Sequence, residues 1–134
     1  MTADLARYFE RRESNRIHTD LNVYMLGDFI RAALTLDHKD ARMARLDPAR
    51  DDVWEIRIRE REPQFRLFGR FAVTDVFVVL RGPARRNEVK SKGFDRLKDE
   101  CLAEWQQTFG LGNPPDILGS TNIHDYISKN VDLA

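Results

Sequence analysis

Cysteine occurs once in the chain, at Cys101, so no intramolecular disulfide can form and no cysteine-based zinc cluster can be assembled from this chain alone. Long apolar runs are also missing. Nothing approaches the roughly 18 to 20 residues that a membrane-spanning helix needs, and the start, Met-Thr-Ala-Asp-Leu-Ala-Arg, lacks the charged-then-apolar order of a secretory signal. These absences point to a reducing compartment, and the cytoplasm is the expected location, with no membrane partner. There is no internal repeat and no low-complexity stretch. No glycine-rich phosphate loop, G-x-S-x-G elbow or H-E-x-x-H occurs, so nucleotide hydrolases, esterases and zinc proteases lack a positive signal, and neither cofactor nor metal is expected.

Net charge is absent too, since 22 basic side chains balance 22 acidic ones. The average conceals a gradient. Residues 1–49 hold 8 basic and 8 acidic groups, residues 50–98 hold 13 and 8, and residues 99–134 hold 1 and 6. The middle of the chain is therefore basic and its tail acidic, and the location of the charge bears on partners more than its sum does.

What is present is enough apolar material, 42% of 134 residues, to build one core without metal or disulfide staples. A single domain over 1–134 is expected. Leu5, Tyr8 and Phe9 have helical spacing within 4–12, and Leu21, Met25, Phe29, Ala32 and Leu36 form a helical stripe over 20–36 that Thr19 or Asp20 can cap. Met43 and Leu46 fall in a short turn that closes a helical region, 1–46. From Val53 the period changes. Trp54, Ile56 and Ile58 alternate with Glu55, Arg57 and Arg59, then Phe65, Leu67 and Phe71 alternate with Arg66, Phe68 and Arg70, which predicts two half-buried strands around the proline-bearing turn at Pro63. Val76 to Leu80 is apolar on both faces and reads as a central strand. The sheet region spans 53–81. Residues 93–109 read as a helix with Phe94, Leu97, Cys101, Leu102, Trp105 and Phe109 on one face, closed by Gly110. An extension over 110–134 follows, with a last short helix over 122–130. The expected class is α+β: a small twisted antiparallel sheet of three or more strands, with N-terminal helices and a C-terminal helix packed on it.

The polar positions of the two strands carry Arg57, Arg59, Arg66 and Arg70, and Arg81, Arg85, Arg86, Lys90 and Lys92 follow the third strand. Guanidinium groups match phosphate oxygens and stack on bases, and Phe68 among them offers an aromatic surface, a combination suited to RNA. The alternative is a solvated face on which Glu55, Glu60 and Glu62 pair with the arginines across strands.

The order Leu46, Trp54-Glu55-Ile56-Arg57-Ile58, Phe65-Arg66-Leu67-Phe68, Val76-Phe77-Val78-Val79-Leu80, basic linker, helix resembles the RelE/ParE-like toxin superfamily, nearest its HigB and phage-derived branches. In that family a tryptophan-glutamate-leucine-arginine strand precedes a tyrosine-arginine strand, a third strand, a lysine pair and a helix. The likeness covers residues 43–109. It places Arg57 and Arg66 on the sheet arginines, and Arg85 and Arg86 on the lysine pair. It departs at the start, where members open with a strand and this chain reads as helical, at Arg81-Gly82-Pro83, which replaces histidine-glycine-phenylalanine, and beyond residue 109, where many members end. The resemblance implies a toxin of a toxin-antitoxin module, an endoribonuclease (a hydrolase) that cleaves messenger RNA on the ribosome, with a cognate antitoxin protein as partner; a homodimer is a further option.

Cleavage by an adjacent 2′-hydroxyl requires charge neutralisation at phosphorus and a group that moves protons. Arg57, Arg59, Arg66, Arg70, Arg85, Arg86 and Lys90 are the expected RNA-binding set. For proton transfer the candidates are His124, Asp125 and Tyr126, similar to the Asp-Tyr-His type ending of some HigB-like members, ahead of His18 and His38. The competing reading of this tripeptide makes His124 a solvent-facing residue and Tyr126 a core anchor. Cys101, Trp54, Trp105, Phe77 and Phe94 read as core. The rival function is a non-catalytic interaction protein, ParE-like or other, whose arginine face docks an acidic protein partner.

Overall fold

The computed structural model describes residues 22–25, 30–36, 38–59 and 64–134, with backbone alone for 22–25, 30 and 92. The expected helix at 4–12 lies outside these residues, as do His18, Glu60 and Glu62. Seven strands among the described residues, β1 (Asn22–Met25), β2 (Ile30–Ala33), β3 (Met43–Arg45), β4 (Trp54–Ile58), β5 (Phe65–Val73), β6 (Val76–Arg85) and β7 (Val131–Leu133), form one sheet in the order β1-β6-β5-β4-β3-β2-β7. Two helices follow β6: α1 (Arg86–Lys92) and α2 (Phe94–Phe109). The class is α+β. The sheet is larger than expected and mixed, because β2 runs parallel to both β3 and β7 while the remaining pairs are antiparallel.

The N-terminal helical region is corrected where it is described. Residues 22–25 pair with β6 and residues 30–33 lie between β3 and β7, so both segments expected in one helix over 20–36 are strands. The apolar spacing over 21–36 suits a helix stripe, but neighbouring Ala32 and Ala33 are both fully buried, as an interior strand covered on each face requires. Met43, expected in a turn, begins β3. The last expected helix is a single 3-10 turn, Ile123–Asp125, where the Asn122 side chain accepts from the His124 N–H, and the chain then joins the sheet as β7.

β4 and β5 keep the predicted alternation, β6 buries apolar residues on both faces as its sequence predicts, and each face gets its own cover. On one face Phe68, Ala72, Val78, Leu80 and Ala84 pack against Leu97, Cys101, Trp105 and Phe109 of α2, the stripe expected of that helix. On the other, Trp54, Phe71, Phe77 and Val79 pack under Ile123, Tyr126 and Ile127 of the C-terminal segment. Phe77 is therefore core, but beneath this segment and not beneath the helix. Close approach of β5 and β6 requires Gly69, where an added Cβ would stand 2.0 Å from the Val78 carbonyl oxygen. Bulges in the β5/β6 register let Leu80 and Arg81 both reach the helix side, where Arg81 meets Glu100 at 3.4 Å and Glu104 at 3.5 Å.

Candidate nucleic-acid interface

Antiparallel pairing sets Arg57 of β4 directly opposite Arg66 of β5. Two like charges at such a position repel. Glu55, two residues before Arg57 on the same face and completely buried, resolves the conflict: Oε1 accepts from Arg57 Nε at 2.8 Å and Oε2 from Arg66 Nη1 at 3.0 Å. The arginines occupy one face, as the alternation predicts, but that face is not open along its length. Arg57 is only 6% exposed, and its remaining donors reach the carbonyl oxygens of His38 (2.5 Å), Ala41 (3.1 Å) and Leu36 (3.3 Å). Arg59 is exposed and donates to the Lys39 carbonyl. These two side chains therefore fasten Leu36 and the loop 38–41 to β4.

Further along β5 the face disappears beneath α2. Phe68, expected as a stacking surface, is core. Arg70 is buried with its guanidinium 5.3 Å from the centre of the Trp105 ring; burial lowers its pKa, an effect opposed by nearby Asp52 and Asp51. Arg70 is not on an RNA-accessible surface. Arg85 is exposed and caps the Phe65 ring at 5.9 Å, while Lys90 is exposed on α1.

Where the helix cover ends, the face opens into a cleft of about 420 Å³ bounded by Leu36 and Lys39 from the fastened loop, Glu55, Arg57, Ile58 and Arg59 from β4 and its end, Gln64, Phe65 and Arg66 from β5, Arg86 from α1 and Phe94 from α2. Four of the seven expected RNA-binding residues, Arg57, Arg59, Arg66 and Arg86, meet here. Lys39, Phe65 and Phe94 belong to the site but were not assigned to it from sequence. Lys39 sits in an irregular charged loop with no periodic signal, and the two phenylalanines carry the same apolar pattern as core residues.

The tripeptide His124, Asp125, Tyr126 lies on the opposite face. Tyr126 is completely buried against Trp54 (5.1 Å between ring centres) and Phe71 (5.3 Å). Its hydroxyl donates to Asp52 Oδ2 at 2.5 Å and accepts from the Ser120 N–H at 2.8 Å. Burial first, then the bond to Asp52, pushes the phenol well above its ordinary pKa. Asp52 also accepts from Trp54 Nε1 and the Gly119 N–H, each at 2.8 Å, and Arg45 Nη1 donates to the Ser120 carbonyl at 2.7 Å. This buried set ties the C-terminal segment to the sheet. Asp125 bonds Ser120 Oγ, and its carbonyl accepts from Thr74 Oγ1 at 2.6 Å; His124 is exposed. None of the three faces the arginines of the cleft. His38 stands in the fastened loop and contributes its carbonyl to Arg57. The carboxylate that does line the cleft is Glu55.

Among the described residues no His, Cys, Asp and Glu side chains group as a metal site, and no helix is long and apolar enough to cross a membrane. Comparison with models of known protein families, with curated proteins and with solved structures returns no match.

Proposed function

We propose that this protein binds RNA in the cleft between β4, β5 and the α1/α2 corner, and that it acts there as a toxin-like endoribonuclease on ribosome-bound message, as the resemblance to RelE/ParE-like toxins suggests. The observation that carries the reading is the lining of the cleft: Lys39, Arg59, Arg66 and Arg86 surround Phe65 and Phe94, and the one carboxylate present is already shared by two arginines. Positive charge beside aromatic surface is the composition that holds single-stranded nucleic acid. In a cleavage step, Arg66 and Arg86 would neutralise charge on the phosphorus centre.

A second reading is favoured by Glu55. Both its oxygens are engaged and the His124 tripeptide lies on the other face, so binding without cleavage, of RNA or of an acidic protein partner, needs no further group.

The test is binding of a labelled single-stranded RNA to the full chain across a salt series, with messenger RNA integrity followed during expression in a bacterium. Arg66→Ala with Arg86→Ala is expected to weaken binding and to flatten the dependence of log affinity on log salt by about 1.4, at roughly 0.7 per phosphate contact for single strands. Transcript loss caused by the wild type and abolished in the double variant marks the catalytic version, whereas RNA binding with intact transcripts marks the binding-only version. A folded wild-type protein that neither binds RNA nor depletes transcripts, yet holds an acidic peptide, overturns the proposal in favour of protein docking.

A further inference from the structure

Resting on the RNA-binding reading, we infer that the cleft recognises one phosphorylated nucleotide as a unit, base against the Phe65 and Phe94 walls and phosphate on Arg66 and Arg86, so that a free mononucleotide competes with RNA for it.

Size is the first argument. Clefts that enclose a single small molecule run from roughly 300 to 1,000 Å³, whereas grooves that follow a nucleic-acid backbone span about 4 to 16 nucleotides per binding fold. At about 420 Å³, and closed at one end where Phe68 and Arg70 pass beneath α2, this cleft has room for the first kind of ligand.

Donor availability is the second. A guanidinium offers five N–H donors. Arg57 has spent four of its own on Glu55 and on the His38, Ala41 and Leu36 carbonyls, so it is part of the floor. Arg66 has one partner among the described residues, Glu55, which holds the group in place and leaves its other donors facing the cleft. Arg86 is exposed at the start of α1 and lines the same cleft. Two guanidiniums, one held by Glu55 and one exposed, give a phosphate charge-assisted contacts from two elements.

The third argument is the wall material. Phe65 and Phe94 are half-buried, unlike the fully buried Phe68, and both line the cleft, Phe65 with Arg85 5.9 Å from its ring centre and Phe94 with its ring 6.4 Å from that of Phe68. A π surface with no fixed donors or acceptors accepts any base by stacking. A ligand that carried charge alone would make no use of it.

The experiment is competition, on the full chain, against a fluorescein-labelled hexaadenylate RNA, read by anisotropy with four competitors: 5′-AMP, ribose 5-phosphate, inorganic phosphate and polyglutamate. AMP is expected to displace the RNA completely, at concentrations at least about tenfold below those of ribose 5-phosphate or phosphate, since stacking of one base accounts for roughly that factor or more. Arg86→Ala, a surface change that spares the fold, should weaken AMP by about tenfold, the effect of one charge-assisted hydrogen bond. Phe94→Leu, which keeps apolar volume, should remove the advantage of AMP over ribose 5-phosphate. Equal potency of AMP and ribose 5-phosphate on wild-type protein overturns the inference and leaves RNA binding standing. Saturable AMP binding without RNA binding keeps the pocket and assigns it to free nucleotides. Binding of neither, with displacement or capture by polyglutamate, overturns both.

Discussion

Replacing Tyr126 by phenylalanine separates the structural account of the C-terminal segment from a catalytic one. The ring stays in contact with Trp54 and Phe71, so the cavity term vanishes and the loss is confined to one hydroxyl. That hydroxyl donates to Asp52 at 2.5 Å and accepts from the Ser120 N–H at 2.8 Å. A hydrogen bond to a charged group contributes about 1.5 to 3 kcal/mol, and a donor left without a partner adds about 1. Asp52 keeps Trp54 Nε1 and the Gly119 N–H, which limits the damage. The expected destabilisation is therefore about 2 to 4 kcal/mol. For a chain of this size that corresponds to a fall in Tm of roughly 8 to 15 °C, measured by calorimetry and by urea unfolding followed through tryptophan fluorescence. The pH dependence has a definite sign. Burial and Asp52 raise the phenol above its ordinary value of 10.0, so the folded state retains the proton more tightly than the unfolded state. The stabilisation is complete below pH 10 and is lost as pH rises beyond it; the gap between wild type and Tyr126→Phe should narrow in that range and stay constant below. At a temperature where both proteins are folded, RNA binding and any RNA cleavage should be equal. A cleavage rate lower by about 10²-fold or more, the contribution of a proton-transfer group, would refute the structural assignment, as would a destabilisation under about 1 kcal/mol.

Three other substitutions or probes test the architecture. Arg57→Ala leaves Glu55 with one cation and frees three loop carbonyls, so urea unfolding should show a loss of about 3 to 5 kcal/mol; an unchanged midpoint with weakened RNA binding would place Arg57 at the ligand instead. Gly69→Ala drives a methyl group into the Val78 carbonyl and should cost about 3 kcal/mol or more, visible as a lowered Tm, whereas near-wild-type stability would mean that β5 and β6 are not so closely apposed. Cys101, whose thiol burial pushes up to about 12, should resist an aromatic disulfide reagent at pH 8 in the native protein and react stoichiometrically once unfolded; rapid native labelling would show that α2 does not seal this face.

Alternation of side chains along β4 and β5 was sufficient to define those two strands, their antiparallel pairing and the shared face of Arg57 and Arg66, because a strand with one polar face shows its period of two in the residue order; the start of β6 showed instead as a run apolar on both faces, Val76 to Leu80. The amphipathic stripe from Leu97 to Phe109 defined α2 by the same logic at a period of 3.6. Both are local signals. The strands at 22–25 and 30–33 gave none: in β2, Ala32 and Ala33 are buried on both sides, so the alternation that marks a strand is erased, and spaced apolar residues around it imitate a helix. β7 depends on parallel pairing with β2 across about a hundred residues of chain, which no local pattern encodes.

The same division holds for the site. Composition identified a basic, arginine-rich middle region, but which arginines reach a ligand was decided by distant elements. α2 covers Arg70 and Phe68, Leu36 and the loop 38–41 occupy Arg57, Glu55 fixes Arg66, and the corner between α1 and α2 brings Arg86 and Phe94 to the end of β5. Tyr126 shows the converse. Its neighbours in sequence suggested chemistry, and its position beneath Trp54 and Asp52, 70 and more residues earlier in the chain, makes it an anchor. Residue type sets what a side chain can do; the covering of one sheet face by a helix and of the other by the C-terminal segment sets which side chains remain exposed to do it.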